Sequence, residues 1–329
     1  MAKFSGRQVA LGVGMEDTRG TVQEATIWIP KTDWSFDDKT NKTRVNSSLG
    51  VLDTSEQAHN TLKWAEGDLG AEVRDVGIGY FLKSLFGSVS TDGPDDEAYT
   101  HTFTIDQDSA QHESMTFTVK DPNTTEAYAN VVLTSIEFSQ ELENVLTFSA
   151  TFMGKAADST TDSTAYTAEN KFVKDGLEFK LATNIAGLSG ASEVRLKNLT
   201  LTLSQNVIPD DALGTVEPLD FDNTYFDVEG SFEKNYEDET YRNYQNNNTT
   251  RAASFKWLSD SKIGAGDTYS SLEFKLPNID FYEWEPNYAL DEIASESISF
   301  KGNYDLASDT SSVSAILING SDGTEYNNA

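Results

Sequence analysis

The chain has 329 residues, and its 54 Asp and Glu against 24 Lys and Arg give a formal charge of −30. A surface this acidic excludes a sequence-independent nucleic-acid binder, because holding phosphates takes basic groups. Cysteine is absent, so disulfide and thiolate chemistry are excluded, and His59, His101 and His112 leave little material for a His-based triad or a zinc site. In chain order, Lys3 and Arg7 ahead of the apolar residues 9–15 resemble a secretion signal only superficially. Two of those residues are glycine, and Glu16 and Asp17 stand where small cleavage-site residues belong, so the segment reads as mature chain. Period-two alternation then recurs at residues 25–29, 101–105, 115–119, 136–139, 145–152, 177–181, 199–203, 271–276 and 297–300. β-Branched, Leu or aromatic residues take one face and Thr, Ser, Glu or Lys the other, as in half-buried antiparallel strands. The protein is expected to be mainly β.

Residues 75–87 break the pattern. Ile78, Phe81, Leu82 and Leu85 fall at i, i+3, i+4 and i+7, with Asp75 placed to cap the start and Gly87 the end of a short helix. Gly77 and Gly79 inside it cost about 1 kcal/mol each against Ala, which suggests close packing of the helix on a sheet. Residues 155–170 carry Tyr166 as their one large apolar group and read as a linker between a first domain, residues 1–154, and a second, residues 171–329. The run 313–318 is the longest apolar one near the C-terminus, far short of the roughly 18 residues a membrane helix needs.

A midpoint linker invites a search for repeats. Glu66-Gly67-Asp68-Leu69 is echoed by Glu229-Gly230-Ser231-Phe232, after which Asp238, Tyr241 and Tyr244 repeat the helical spacing of Asp75, Ile78 and Phe81. Residues 114–117 parallel 271–274, residues 136–138 parallel 279–281, and residues 146–148 parallel 298–300. Each half also carries a long polar stretch, residues 37–60 and 205–223, beyond the usual length of an unstructured loop. Asn41, Arg44, Val45, Leu49, Val51 and Leu52 in one, and Val207, Ile208, Leu213 and Val216 in the other, are candidates for contact with another subunit.

Catalytic material is thin. Glu283 and Glu285 flanking Trp284, or Glu66 near Trp64, could be read as glycosidase carboxylates, but a chain with 54 acids places some beside tryptophan on a solvated face. Asp37-Asp38, Asp95-Asp96-Glu97 and Asp210-Asp211 do not fit the spaced Asp-x-Asp-x-Asp-Gly calcium loop. Two-glycine fragments at Gly12 and Gly77 lack the third glycine and the βαβ context of a phosphate loop. No cofactor and no metal are expected.

The opening Gly6-Arg7-Gln8-Val9-Ala10-Leu11-Gly12-Val13-Gly14, followed by Glu16 and Thr18-Arg19-Gly20-Thr21, resembles the start of tail tube proteins of long-tailed bacteriophages. The similarity continues through Trp28-Ile29-Pro30-Lys31-Thr32-Asp33, Asp37-Asp38-Lys39, Trp64-Ala65-Glu66-Gly67 and Glu72-Val73-Arg74-Asp75. The resemblance implies a β-sandwich or split barrel with a flanking helix and a long inter-strand loop, here twice in tandem. It also implies a virion protein assembled in the host cytoplasm, with a tape measure protein and a tail terminator as partners. By resemblance, such proteins form rings whose inner sheets join into a barrel, and the rings stack into a tube through which DNA passes. With six domains per ring, two per chain give a homotrimer of pseudo-sixfold symmetry. A homohexamer follows if only the first half builds the wall. A net negative wall repels the duplex and lets it slide. Residues 145–152 and 297–300 are candidates for the inward sheet. A two-domain adhesin and a carbohydrate-binding or carbohydrate-active protein are the rival readings.

Overall fold

A computed structural model describes residues 3–54, 57–264, 266–308 and 310–326. The protein is mainly β, with antiparallel pairing throughout the described residues and two short α-helices among them. Every alternating segment overlaps a strand, although residues 25–29 form one only over Ile27–Ile29 and residues 145–152 only from Thr147 onward. In the first half, Lys31–Trp34 and Asp37–Arg44 pair with Ala58–Glu72. Next across the sheet come Thr147–Gly154, Thr125–Glu141, Met115–Lys120, Ala10–Met15 and Ile27–Ile29. In the second half Asn198–Asp210 pairs with Asp220–Asn235, followed by Ser295–Gly302, Tyr269–Asn287, Arg251–Lys262 and Leu177–Ala182.

The order of strands is the same in both halves, and so are the irregularities of register. Where Thr151 and Phe152 face Ser135 and Leu133, Ser299 and Phe300 face Glu283 and Phe281, with one residue bulged in each case. A second bulge between Met115 and Phe117 matches one between Arg251 and Ala253. Row by row, Gly67 corresponds to Gly230, Phe152 to Phe300, Leu133 to Phe281 and Ile136 to Trp284.

The Glu-Gly correspondence therefore holds, but the other sequence parallels slip. Residues 114–117 belong with the Arg251–Lys262 strand, whereas 271–274 lie on Tyr269–Asn287, the counterpart of Thr125–Glu141. Residues 298–300 correspond to 150–152, not 146–148. Alternating sequences match one another at any even shift, so only the ladder fixes the register.

Among the described residues, strand pairing joins the halves at two places. Residues 135–141 pair with 198–204, and the C-terminal strand Ser314–Asn319 lies between 271–275 of the second half and 99–104 of the first. The main hydrophobic core runs across both, with Phe138 and Phe274 touching at 4.9 Å between ring centroids.

Helix α1 (Gly77–Phe86) follows the Ala58–Glu72 strand and is buried along its whole length. Gly87 ends it in the left-handed conformation at φ 79°. Its start differs from expectation: Val76 is the cap residue, and the Glu169 carboxylate accepts the Gly77 amide at 2.6 Å. Asp75 instead accepts from the Ser270 hydroxyl at 2.6 Å and from Asn170. A Cβ on Gly79 would lie 2.4 Å from the Tyr326 ring, so this glycine admits the C-terminal segment against the helix, not a sheet. Helix α2 (Thr240–Asn246) occupies the corresponding place in the second half, where Tyr241 is its buried residue.

The stretch 155–170 lies along the first half. Asp158–Ser159 pairs with Thr125–Glu141, Asp162 accepts the Ala25 amide at 3.0 Å, and its carbonyl accepts Lys120 Nζ at 2.7 Å. Hydrogen bonds to its own polar groups position it, which is why its apolar content gave no sign of attachment.

Candidate functional site

The broadest chemical feature is one face of the sheet that crosses both halves. Alternation turns Ile136, Phe138, Ala150, Phe152, Leu201 and Phe232 into the core. The opposite face is polar row by row. One row runs Glu72, Thr147, Ser139, Thr200, Ser231, Ser299, Glu283. The next runs Gly70, Ser149, Glu137, Thr202, Glu229, Lys301, Asp280, and a third runs Asp68, Thr151, Ser135, Ser204, Asp227. These positions hold hydroxyls, carboxylates, one glycine and one lysine.

Side-chain bonds tie neighbouring strands along these rows, and Lys301 also ties the second row to the third. Thr151 donates to Asp68 at 2.7 Å, and the Thr200 and Ser231 hydroxyls bond at 2.8 Å. The Lys301 ammonium lies 2.8 Å from Asp227 and 2.9 Å from Glu229, which pushes its pKa up. Glu72 is held below the usual carboxylate range, chiefly by its bond to Lys171 with help from Arg74, against an opposing cost of burial. The remaining acids present a net negative, hydroxyl-rich surface without exposed apolar groups in these rows. Residues 145–152 and 297–300 both contribute strands to it.

The two long polar stretches are β-hairpins, not loops. Asn41 and Arg44 sit on Asp37–Arg44 opposite Leu62 and Ala58, and the Val45 amide donates to the Gln57 carbonyl at 3.2 Å. Leu49, Val51 and Leu52 are exposed in the turn beyond. In the second hairpin, Val207 and Ile208 lie on the strand opposite Asn223 and Asp222. Val207 packs on Val132 and Phe221 within the chain, while Ile208 and Leu213 are exposed. Val216 is exposed, and its carbonyl accepts the Lys63 amide at 2.6 Å, leaning this hairpin on the first. Hairpin pairing satisfies the backbone of sequences too polar to show strand alternation. Of the expected helix-packing residues, Ile78, Phe81, Leu82, Leu85 and Tyr241 are buried and Tyr244 is half-buried.

Sequence reasoning missed the clamp at the junction of the halves. Arg19 Nε donates to Asp220 at 2.6 Å, and its other nitrogens donate to the carbonyls of His112 and Phe221. Beside it the buried Glu16 carboxylate accepts from the Ser114 hydroxyl at 2.5 Å, the Asn130 amide at 2.7 Å, the Gly20 amide at 2.6 Å and the Thr116 hydroxyl at 3.0 Å. Burial raises its pKa despite these donors. Arg19 lies in a loop and Asp220 begins a strand 201 residues further on, so no local pattern links the pair.

The tryptophan-flanked acids do not assemble into a cleft pair. Trp64 donates to Glu66 at 2.9 Å and Trp284 to Glu296 at 2.7 Å, while Glu283 and Glu285 are exposed on their strand. Among the described residues no group of three or more His, Asp or Glu is arranged to hold a metal ion, and no helix is long and apolar enough to cross a membrane.

The family described as phage tail tube protein matches residues 6–302. None of the curated proteins matches the chain. The chain belongs to the phage tail tube protein family, a structural family of the virion tail.

Proposed function

We propose that this protein polymerises into stacked rings of three chains, each chain supplying two wall modules, and that the polar sheet face lines a lumen for DNA. The observation that carries the reading is the repeated strand order, with its matching bulges, spread beneath one polar face that passes from one half to the other. Two modules per chain make three chains equivalent to six modules, as a family ring requires. The modules would be residues 1–154 and 171–329, the latter extended by its C-terminal strand.

A conduit has to let its cargo go. Phosphates meeting Glu137, Glu229, Glu283 and Asp68 on such a wall are repelled, and no counterions are released to hold the duplex. Hydroxyls between the acids keep the surface wetted without offering apolar footholds. The exposed turns bearing Leu49, Val51, Leu52, Leu213 and Val216 lie at one end of the sheet and would reach the adjacent ring. Tape measure protein inside the tube and a terminator at its end are the partners this role calls for.

Electron microscopy of purified protein tests the reading. Tubes of uniform width with three chains per ring are expected; a stable monomer at high concentration would overturn it, and six chains per ring would confine the wall to one half.

A further inference from the structure

The strand Tyr269–Asn287 changes neighbours along its length. Ile279 faces Arg251 on one edge and Gly302 on the other. Beyond it, residues 280–287 keep their partner Ser295–Gly302, but among the described residues no strand pairs with the other edge. Gln245 Nε2 reaches the Tyr282 carbonyl there at 3.1 Å. The counterpart strand, Thr125–Glu141, has the same edge filled: residues 135–141 pair with 198–204 of the second half.

The counterpart of residues 198–204 is 33–39 of the first half, because each set faces the Glu-Gly strand in the same register around Gly67 and Gly230. Residues 33–39 have that strand on one edge and, among the described residues, no strand on the other. The chain thus ends its polar sheet with two bare edges, one of each kind that meets at its own midpoint.

We propose that residues 33–39 of a second copy of this chain pair antiparallel with residues 283–289, repeating between chains the junction that joins the halves. This contact deepens the ring reading and rests on it. It is head-to-tail, so it closes a ring when the rotations at successive junctions sum to a full turn, and both bare edges are then paired.

Transferring the internal register sets Ser35 opposite Asn287, Asp37 opposite Glu285, Asp38 opposite Trp284 and Lys39 opposite Glu283. Where the internal junction has Ser204 facing Ser135, the new one has an ammonium facing a carboxylate, with Glu285 on the diagonal. Cross-strand neighbours at that spacing interact directly, and the lysine offsets the like-charge pair of Asp37 and Glu285. Half-buried Trp34 meets Tyr288, which is 60 % exposed in the single chain.

The chain has no cysteine, so a Lys39→Cys, Glu283→Cys double variant reports the contact cleanly. Mild oxidation of assembled protein is expected to give intermolecular disulfides ending at a covalent trimer, while either single variant gives none. Lys39→Glu should raise the concentration needed for assembly about tenfold, and adding Glu283→Lys should restore it. In the unmodified protein, amides of residues 35–39 and 283–287 should gain protection from hydrogen exchange on assembly. Tubes that form without the 39–283 disulfide and without that protection would overturn the edge pairing while sparing the tube role. Failure of the unmodified protein to form rings at any concentration would overturn both.

Discussion

Helices α1 and α2 follow corresponding strands, yet one is buried from end to end and the other contributes a single buried residue. The difference lies in what covers them. Over α1 sit Thr26, whose hydroxyl meets Tyr80 at 2.9 Å, and Tyr326, which donates to the Val76 carbonyl at 2.9 Å. At α2 there are cations instead: Arg251 lies 4.4 Å from the Tyr244 ring, and the helix's own Arg242 lies 5.5 Å from the Trp284 ring of the sheet.

The sheet beneath differs in the same sense. Phe81 packs on Phe148 and Phe152 at 5.4 and 5.5 Å. The position of Phe148 is taken in the second half by Glu296, fully buried, with Lys234 at 3.5 Å in the place of Ala71. One strand plan therefore supports an apolar helix seat and an ionic one, and the seat follows from side chains rather than from topology.

The contrast can be broken most severely at the C-terminus. Removing residues 303–329 takes away the strand shared by both halves and uncovers α1, and calorimetry should then show loss of the single cooperative transition. Tyr326→Ala alone should cost about 3–5 kcal/mol, comparable with other buried aromatic truncations. If both changes leave the melting temperature where it was, the tail does not hold the first half.

At the two helix seats, Phe81→Ala should cost about 3–5 kcal/mol in denaturant unfolding, and Tyr244→Ala, half-exposed, about 1. Lys234→Met should cost about 3–5 kcal/mol because it strands the buried Glu296 charge. Importing the first half's residues as Lys234→Ala with Glu296→Phe should be neutral or stabilising by about 1–4 kcal/mol. An additive loss in that double variant would show the ionic seat to be required for the fold.

The smallest effect expected is at Glu72, whose counterpart is Asn235. Its pKa lies lower folded than unfolded, so its contribution is present above the unfolded value and disappears as pH falls through the folded one. Glu72→Gln should flatten the acid side of the stability profile below about pH 4.5 by under about 1 kcal/mol, as suits a partly exposed ion pair. An unchanged profile would mean that Lys171 and Arg74 do not grip it in solution.

Strands of mixed polarity were legible in the sequence because burial on one face imposes alternation. Ala58–Glu72 and the hairpin arm Asp37–Arg44 were not, since their outer halves bury almost nothing and hydrogen bonds alone keep them extended. The helix α1 was legible from Ile78, Phe81, Leu82 and Leu85, and its end from Gly87. Its start was misread because Glu169, remote in sequence, caps it in place of Asp75. The polar face could not be assembled beforehand: alternation shows that Glu137 and Glu229 point away from the core, but only the ladder puts them two strands apart. The C-terminal apolar run was visible, while its place between the halves depends on pairings that no local pattern encodes.

The central claim is that two corresponding halves each supply one wall segment. An averaged end-on image of the assembled ring tests it most directly. Three chains arranged with pseudo-sixfold symmetry, the 198–204 and 33–39 strands alternating around one barrel, is the predicted result. A ring of six chains in which the second half stands outside the barrel would contradict it.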